Sequence, residues 1–215
     1  MAQAERGRLS REVVLVRALE MADAEGIEAL SMRKLAQALG VEAMSLYNHV
    51  RNKEALIDGI VDLVVAEFHL PRSGADWRAE MARRGQVAHE AMLGHPWSAL
   101  LVGLRPEPGP AMLAYVEATL GCLFAAGFSV PMADHAWNAM DAYIHGFTLQ
   151  RIRFPFAPGA YAEVARAYLP MLEGAGMPHL EAMTREVAEG RHDGVQSFAF
   201  GFDLLLDGLE RMPRR

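Results

Sequence analysis

Cysteine is almost missing from this sequence: Cys122 stands alone, in the apolar run LGCLF. No disulfide framework or cysteine-built metal site is available within one chain, and a thiol so flanked reads as a small core hydrophobe. No stretch of 18 uninterrupted apolar residues occurs, and Met1–Leu9 is polar and Arg-bearing rather than a signal peptide with an apolar centre. A cytoplasmic chain with no membrane partner is the expectation. Positive charge is also short. The formal net charge is -6, and the first 69 residues hold eight Lys/Arg against eleven Asp/Glu. A uniformly basic surface for nonspecific nucleic-acid binding is therefore excluded, and any such contact must rest on local placement of charge. Enzyme signatures fail too. His89-Glu90 has Leu93 where a zincin's second His would stand, and there is no GxSxG, no P-loop and no GxGxxG in a strand–helix setting. No enzyme activity and no cofactor are expected.

Strand signals are nearly absent, whereas apolar residues recur at spacings of three and four almost throughout, which predicts an all-α chain. Thirteen of the residues are Met, an adaptable filler that suits pockets of loose specificity. Helices are expected over 10–25, 31–39, 41–49 and 53–69, then 77–93, 97–101, 110–126, 131–153, 160–169, 179–189 and 195–211. Ser10, Ser31 and Asp76 stand where N-caps belong, and Gly26, Gly40 and Gly127 where helices stop. The stretch LPRSGAD separates residues 1–68 from a larger region, 69–215.

The segment MRKLAQALGVEAMSLYNHVRNKEAL, Met32 to Leu56, is the most informative. Leu35 and Leu39 share a face of one short helix, Leu46 and Val50 a face of the next. Ala36 permits close approach, and Gly40 supplies the left-handed corner of a helix-turn-helix. Stepping 100° per residue groups Ala43, Leu46, Tyr47 and Val50 on one side and Met44, Ser45, Asn48 and His49 on the other. The second group suits a major groove: Asn pairs with adenine, Ser donates or accepts, and Met touches a thymine methyl. Arg33 and Lys53 begin the flanking helices, where phosphates would lie. An ordinary αα-hairpin packed into a core explains the same spacing.

From Leu9 to Phe68, and most tightly over MRKLAQALGVEAMSLYNHVRNKEALID, the sequence resembles the DNA-binding domain of the TetR family of repressors. DWRAEM, GLRP, AAGFS and YIHGFTLQ resemble the C-terminal domain of the tetracycline-repressor subgroup. The resemblance implies a ligand-responsive homodimeric repressor of nine to ten helices, with a helix-turn-helix domain at 1–68 and a ligand-binding and dimerisation domain at 69–215. It makes Arg33, Met44, Ser45, Tyr47, Asn48, His49 and Lys53 the DNA contacts. Ala43, Met44 and Asn48 depart from the side chains of the tetracycline repressors, so their operator is not implied. By the same carry-over His69, Arg84 and Ala88 face the effector cavity. Where the subgroup places a metal-binding His and a Thr around the Gly of LLVGLRP, this chain has Leu101 and Leu104. A greasier, metal-free pocket follows, to which Met92, Trp137 and Met140 add sulfur and aromatic surface. The expected effector is apolar or aromatic, and Arg84 would accept a carboxylate on it.

The last helix repeats Val195, Phe198, Phe202, Leu205, Leu209 and Met212 at steps of three and four, with Gly194, Gly201 and Gly208 every seven residues beside them. A helix so broadly apolar is buried on more than one side. Phe198, Phe202, Leu205 and Leu209 are expected at a dimer interface, although a central core helix in a monomer has the same pattern. Asp141 and His145, at i,i+4, suit a metal, a contact across the dimer or a plain Asp–His pair. A helical-bundle enzyme and an adaptor without sequence-specific DNA binding remain the alternative readings. In the repressor reading, the ligand favours a dimer whose reading helices no longer match successive major grooves. The helix from Lys53 to His69 is the lever.

Overall fold

A computed structural model of the chain describes residues 9–156, 160–192 and 197–212, and among them there are helices and no strand. The first helix, α1 (Arg11–Glu25), begins where the Ser10 hydroxyl accepts the Val13 amide at 3.2 Å, and Gly26 ends it at φ +85°. After a 3-10 turn at Ile27–Ala29, α2 (Met32–Leu39) is capped by Ser31. Gly40, at φ +67°, turns the chain into α3 (Ala43–Leu46), a left-handed corner that a Cβ would strain. Helix α4 (Lys53–Val65) follows Asn52, whose side-chain oxygen accepts the Ala55 amide at 2.8 Å.

The second half comprises α5 (Trp77–Gly94), a 3-10 segment at Pro96–Leu100, α6 (Pro110–Ala125) and α7 (Val130–Ile152). It closes with α8 (Tyr161–Leu172), α9 (Pro178–Ala188) and α10 (Phe198–Arg211). Asp76 caps α5 through the amides of Arg78 and Ala79. Three helices fall short of expectation, α3 among them with Ala43–Leu46 of the expected 41–49. α4 stops at Val65 rather than His69, because Glu67 and Phe68 bond three residues back in tightening turns and Pro71 then disfavours helix at Leu70. α10 starts at Phe198, where Ser197 accepts the Phe200 amide at 3.3 Å. Val195 and Gly194 lie outside the described residues.

Two apolar cores form. The smaller gathers Val14, Leu15, Ala18, Leu35, Leu46 and Val50 around Leu56 and Ile60 of α4. The larger runs from Ile57, Val61, Val64 and Val65 of α4 through α5, α6 and α7 to Phe198, Phe202, Leu206 and Leu209 of α10. Helix α4 thus gives one face to each core, and no separate linker stands between them.

Within the subunit, α10 turns the residues expected at the interface inward. Phe198, Phe202 and Leu209 are buried within the chain itself, and Leu205 is half-buried against the same core. Phe202 lies so close to Gly85 of α5 that a Cβ there would collide with its ring, and Phe198 stacks on His89 at 4.5 Å between centroids. The outward apolar residues are instead Phe200, 70 % exposed, and Leu204, 59 % exposed. Met212, at the end of the stripe, is exposed as well.

Candidate nucleic-acid interface and effector cavity

The two-helix head presents its side chains as follows. Leu35, Ala36, Leu46 and Val50 are buried and fix α3 against α1 and α4. Met44 is 75 % exposed, Arg33 and Asn48 are exposed, and Ser45, His49 and Lys53 are half-buried. Tyr47 departs from the 100° wheel: it is 46 % exposed, not on the core side. The reason is local. The amides of Tyr47, Asn48 and His49 bond to the carbonyls of Met44, Ser45 and Leu46, three residues back. Three residues per turn eclipse i and i+3, which sets Tyr47 over Met44 and His49 over Leu46.

Charge on the head is sorted by pairing. Arg17, Lys34 and Arg51 are held by Glu20, Glu25 and Glu107 at 2.7, 3.0 and 2.7 Å. Among the described residues Arg33 and Lys53 make no ion pair. They flank the exposed face, so this net-acidic head keeps uncommitted cations where backbone phosphates would lie.

In the larger part, two adjoining cavities of about 460 and 360 Å³ share Gly103, Met112 and Trp137. The first lies between Asp58, Val61, Asp62 and Val65 of α4 and Met112, Leu113, Val116 and Glu117 of α6, closed by the loop from Gly103 to Gly109. Asp62 caps α6: its carboxylate accepts the amides of Ala111 and Met112 at 3.2 and 3.1 Å. A Cβ at Gly109 would collide with that carboxylate and push it off the two amides. Arg105 clips the loop to α4 through Asp58 at 2.5 Å and Glu54 at 2.8 Å.

Of the eight residues expected around the effector, Ala88, Leu104 and Trp137 line these cavities. His69, Arg84, Met92, Leu101 and Met140 do not. Met92 and Met140 are core residues, and Leu101 packs against the same core. His69 donates from Nε2 to Glu80 at 2.7 Å, and Arg72 grips the same carboxylate twice, at 2.9 and 2.7 Å. Those bonds, from Arg72 first and His69 second, hold the Glu80 carboxyl at a pKa of about 2. Arg84 is wholly buried. It donates to Thr119 at 2.9 Å and Asp141 at 2.5 Å and lies 4.5 Å over the Tyr115 ring. Its Nη1 is buried without a partner, but Arg84 lines neither cavity, so a ligand carboxylate there does not meet it. Asp141 gives one carboxylate oxygen to Arg84 of its own chain. His145 lines the smaller cavity, with its pKa lowered by burial, Asp141 opposing and Arg84 adding.

The sequence reading missed α4 and α6 as cavity walls. Positions 58, 61, 62 and 65 carried the signal, a stripe at helical spacing that mixes two carboxylates with two valines. One further feature has no sequence signal at all: the Trp137 Nε1 is buried without a hydrogen-bond partner. Such a donor costs about 1–3 kcal/mol until an acceptor meets it.

Two family models match. "Bacterial regulatory proteins, tetR family" covers residues 14–60, and "Tetracyclin repressor-like, C-terminal domain" covers residues 70–212. The chain belongs to the TetR family. It is a ligand-responsive DNA-binding regulator, not an enzyme. The class E tetracycline repressor of Escherichia coli is 32% identical over 210 residues, 96% of each protein. An HTH-type transcriptional regulator of Saccharopolyspora erythraea is 37% identical over 139 residues, 64% of this chain and 59% of that protein. Among solved structures, ActR of Streptomyces coelicolor in complex with actinorhodin superposes with a TM-score of 0.79 at 27% identity, covering 95% of this chain and 98% of that one.

Proposed function

We propose that the chain is a repressor that binds a pseudo-palindromic operator as a homodimer and releases it when a small effector enters the cavity between α4 and α6. One observation carries this: α4 is common to both cores. Leu56 and Ile60 hold the reading head, while Val61 and Val65, one turn on, wall the cavity. A ligand that spreads α4 from α6 has to move the head with it, and it shifts the population by as much as it prefers the spread form.

Met44, Ser45, Tyr47, Asn48 and His49 are the base-facing residues in this reading, with Arg33 and Lys53 on phosphates. The seam between subunits is the outer face of α10. Phe200 and Leu204 supply its apolar surface, and at Gly208 an added Cβ would meet only open space, which leaves room for a partner helix. The Escherichia coli relative's name supports repression. The cytoplasm is the proposed location; no described helix is long and apolar enough to cross a membrane.

Selection of binding sites from random duplex DNA with the full chain tests the reading. An inverted repeat whose half-sites lie about one helical turn apart is expected. A single half-site bound by a monomer would refute it.

A further inference from the structure

The α4–α6 cavity has a charge that its apolar walls hide. Four carboxylates line it, Asp58, Asp62, Glu107 and Glu117, against one cation, Arg105. Arg105 is shared between Asp58 and Glu54, and two carboxylates on one guanidinium leave a surplus negative charge. Glu107 is balanced by Arg51. Asp62 meets only backbone amides at the start of α6, which offer partial positive charge and no full counter-ion. Glu117 has no ion pair or hydrogen bond among the described residues.

The remaining demands are of a different kind. Val61, Val65, Met112, Leu113 and Val116 give apolar walls. Trp137, in the wall common to both cavities, adds an aromatic ring and the buried Nε1–H that has no acceptor. Asp58 and Asp62 are half-buried against these walls, which strengthens their field, while Glu117 is exposed at the rim and acts through a more screened one. The nearest buried guanidinium, Arg84, donates to Thr119 and Asp141 and keeps a buried Nη1 without a partner, but it does not line this cavity. Arg105 on the wall is already held by two carboxylates, so an anionic ligand finds repulsion without a free counter-charge.

Resting on the reading of this cavity as the effector site, we propose that the effector is a cationic aromatic amine that also carries a hydrogen-bond acceptor. The amine faces Glu117 and Asp62, the ring system lies between the apolar walls, and the acceptor, a carbonyl or ether oxygen, takes the Trp137 N–H as the indole turns to open its buried nitrogen to the cavity. Anionic aromatics of the same shape are discriminated against. The acid-accepting pocket expected from Arg84 is replaced by one that selects amines.

Three anthraquinones that differ only in one substituent supply the test: 2-aminomethyl, 2-hydroxymethyl and 2-carboxylate. Titration calorimetry on the full chain without DNA avoids intercalation. The amine should bind about threefold to tenfold more tightly than the alcohol, and the acid should be weakest. The gap between amine and alcohol should shrink at high salt. Glu117→Gln should weaken the amine about threefold and leave the alcohol unchanged. Trp137→Phe should weaken all three by a common factor of about five. Val116→Trp, checked for a wild-type unfolding midpoint, should abolish binding of all three. Equal or tighter binding of the acid, or a loss for amine and alcohol alike in Glu117→Gln, would overturn the amine preference and leave the effector site standing. Binding that survives Val116→Trp, or failure of all three to bind the wild type, would overturn the site itself.

Discussion

The reading head and the cavity body obey different rules of construction. In the head, every structural decision lies within a few residues of its cause: Ser31 and Asn52 start helices, Gly40 turns the corner, and Leu46 and Val50 anchor the helix between. In the body, the decisive contacts join residues far apart in sequence, such as Arg84 with Asp141, Gly85 with Phe202 and Asp62 with the start of α6. On the head's reading face, Arg33, Met44, Asn48 and Lys53 are in no ion pair among the described residues and are ready for a partner, whereas Arg17, Lys34 and Arg51 are paired. The body's polar groups are mostly committed to one another; left over among the described residues are Glu117, the Trp137 N–H, the Ser98 hydroxyl and one guanidinium nitrogen each of Arg78 and Arg84. A surface that reads DNA needs free groups on a rigid support, whereas a cavity that senses a ligand needs a few unmet demands within a satisfied frame.

The largest effect separates the inner and outer faces of α10. Phe202→Asp would bury an unpaired charge beside Gly85 and Tyr143, and the protein should fail to fold, as seen in lost helical circular dichroism. Leu204→Asp, on the exposed face, should leave the melting temperature of the subunit nearly intact while light scattering reports a monomer. A folded Phe202→Asp protein, or a dimeric Leu204→Asp protein, would reverse the assignment of the two faces.

Asp141→Asn tests how far the body depends on pairing at long range. It leaves the wholly buried Arg84 without its counter-charge, at a cost of about 3 kcal/mol, near the lower end for such losses because Asp141 keeps some contact with solvent. Denaturant unfolding measures it. A change below about 1 kcal/mol would show that Thr119 and the Tyr115 ring satisfy the guanidinium unaided.

These contrasts also explain what was legible. The caps and corners of the first two helices, Ser10, Gly26, Ser31 and Gly40, could be read directly, because each is a local chemical rule. The inner face of α10 could not: with Phe198, Phe200, Phe202, Leu204, Leu205 and Leu209 all apolar, periodicity alone does not say which side meets α5 and α7. His69 and Arg84 were sought as ligand groups, but their carboxylate partners, Glu80 and Asp141, lie 11 and 57 residues away in sequence. Tyr47 was misplaced for the opposite reason. The wheel assumed 3.6 residues per turn where the chain winds at three.

Within the head, Asn48→Ala and Lys53→Ala should differ in kind. The first should cost about 1–3 kcal/mol on the selected operator and relax preference at one base pair. The second should weaken all sequences alike and reduce the salt slope by about one unit. Binding curves across an operator library at several salt concentrations check this. Indistinguishable behaviour would erase the distinction between base reader and phosphate anchor.

The smallest effect lies at the joint between the two regions. His95, after α5, meets Asp23 of α1 through Nδ1 at 2.8 Å and Glu67 beyond α4 through Nε2 at 3.2 Å, and Trp97 Nε1 donates to the same Asp23 oxygen at 2.7 Å. Both ring nitrogens can donate only when the imidazole is protonated. Burial opposes that charge, but Asp23 and then Glu67 outweigh it and raise the pKa above 6.5. The linkage has a definite sign: stabilisation by His95 is fully present below pH 6.5 and is lost as pH rises through the raised value. His89 and His145, both lowered chiefly by burial, act oppositely and favour the folded chain above their ordinary pKa. A whole-protein pH profile therefore mixes the two signs, and the joint has to be isolated by difference. Unfolding free energies of wild type and His95→Gln, compared at each pH, should differ by about 0.5–1 kcal/mol near pH 5.5 and converge toward pH 9. Asp23→Asn should remove most of the convergence. A difference that stays constant with pH would mean that His95 holds head to body by packing against Trp97 and not by its charge.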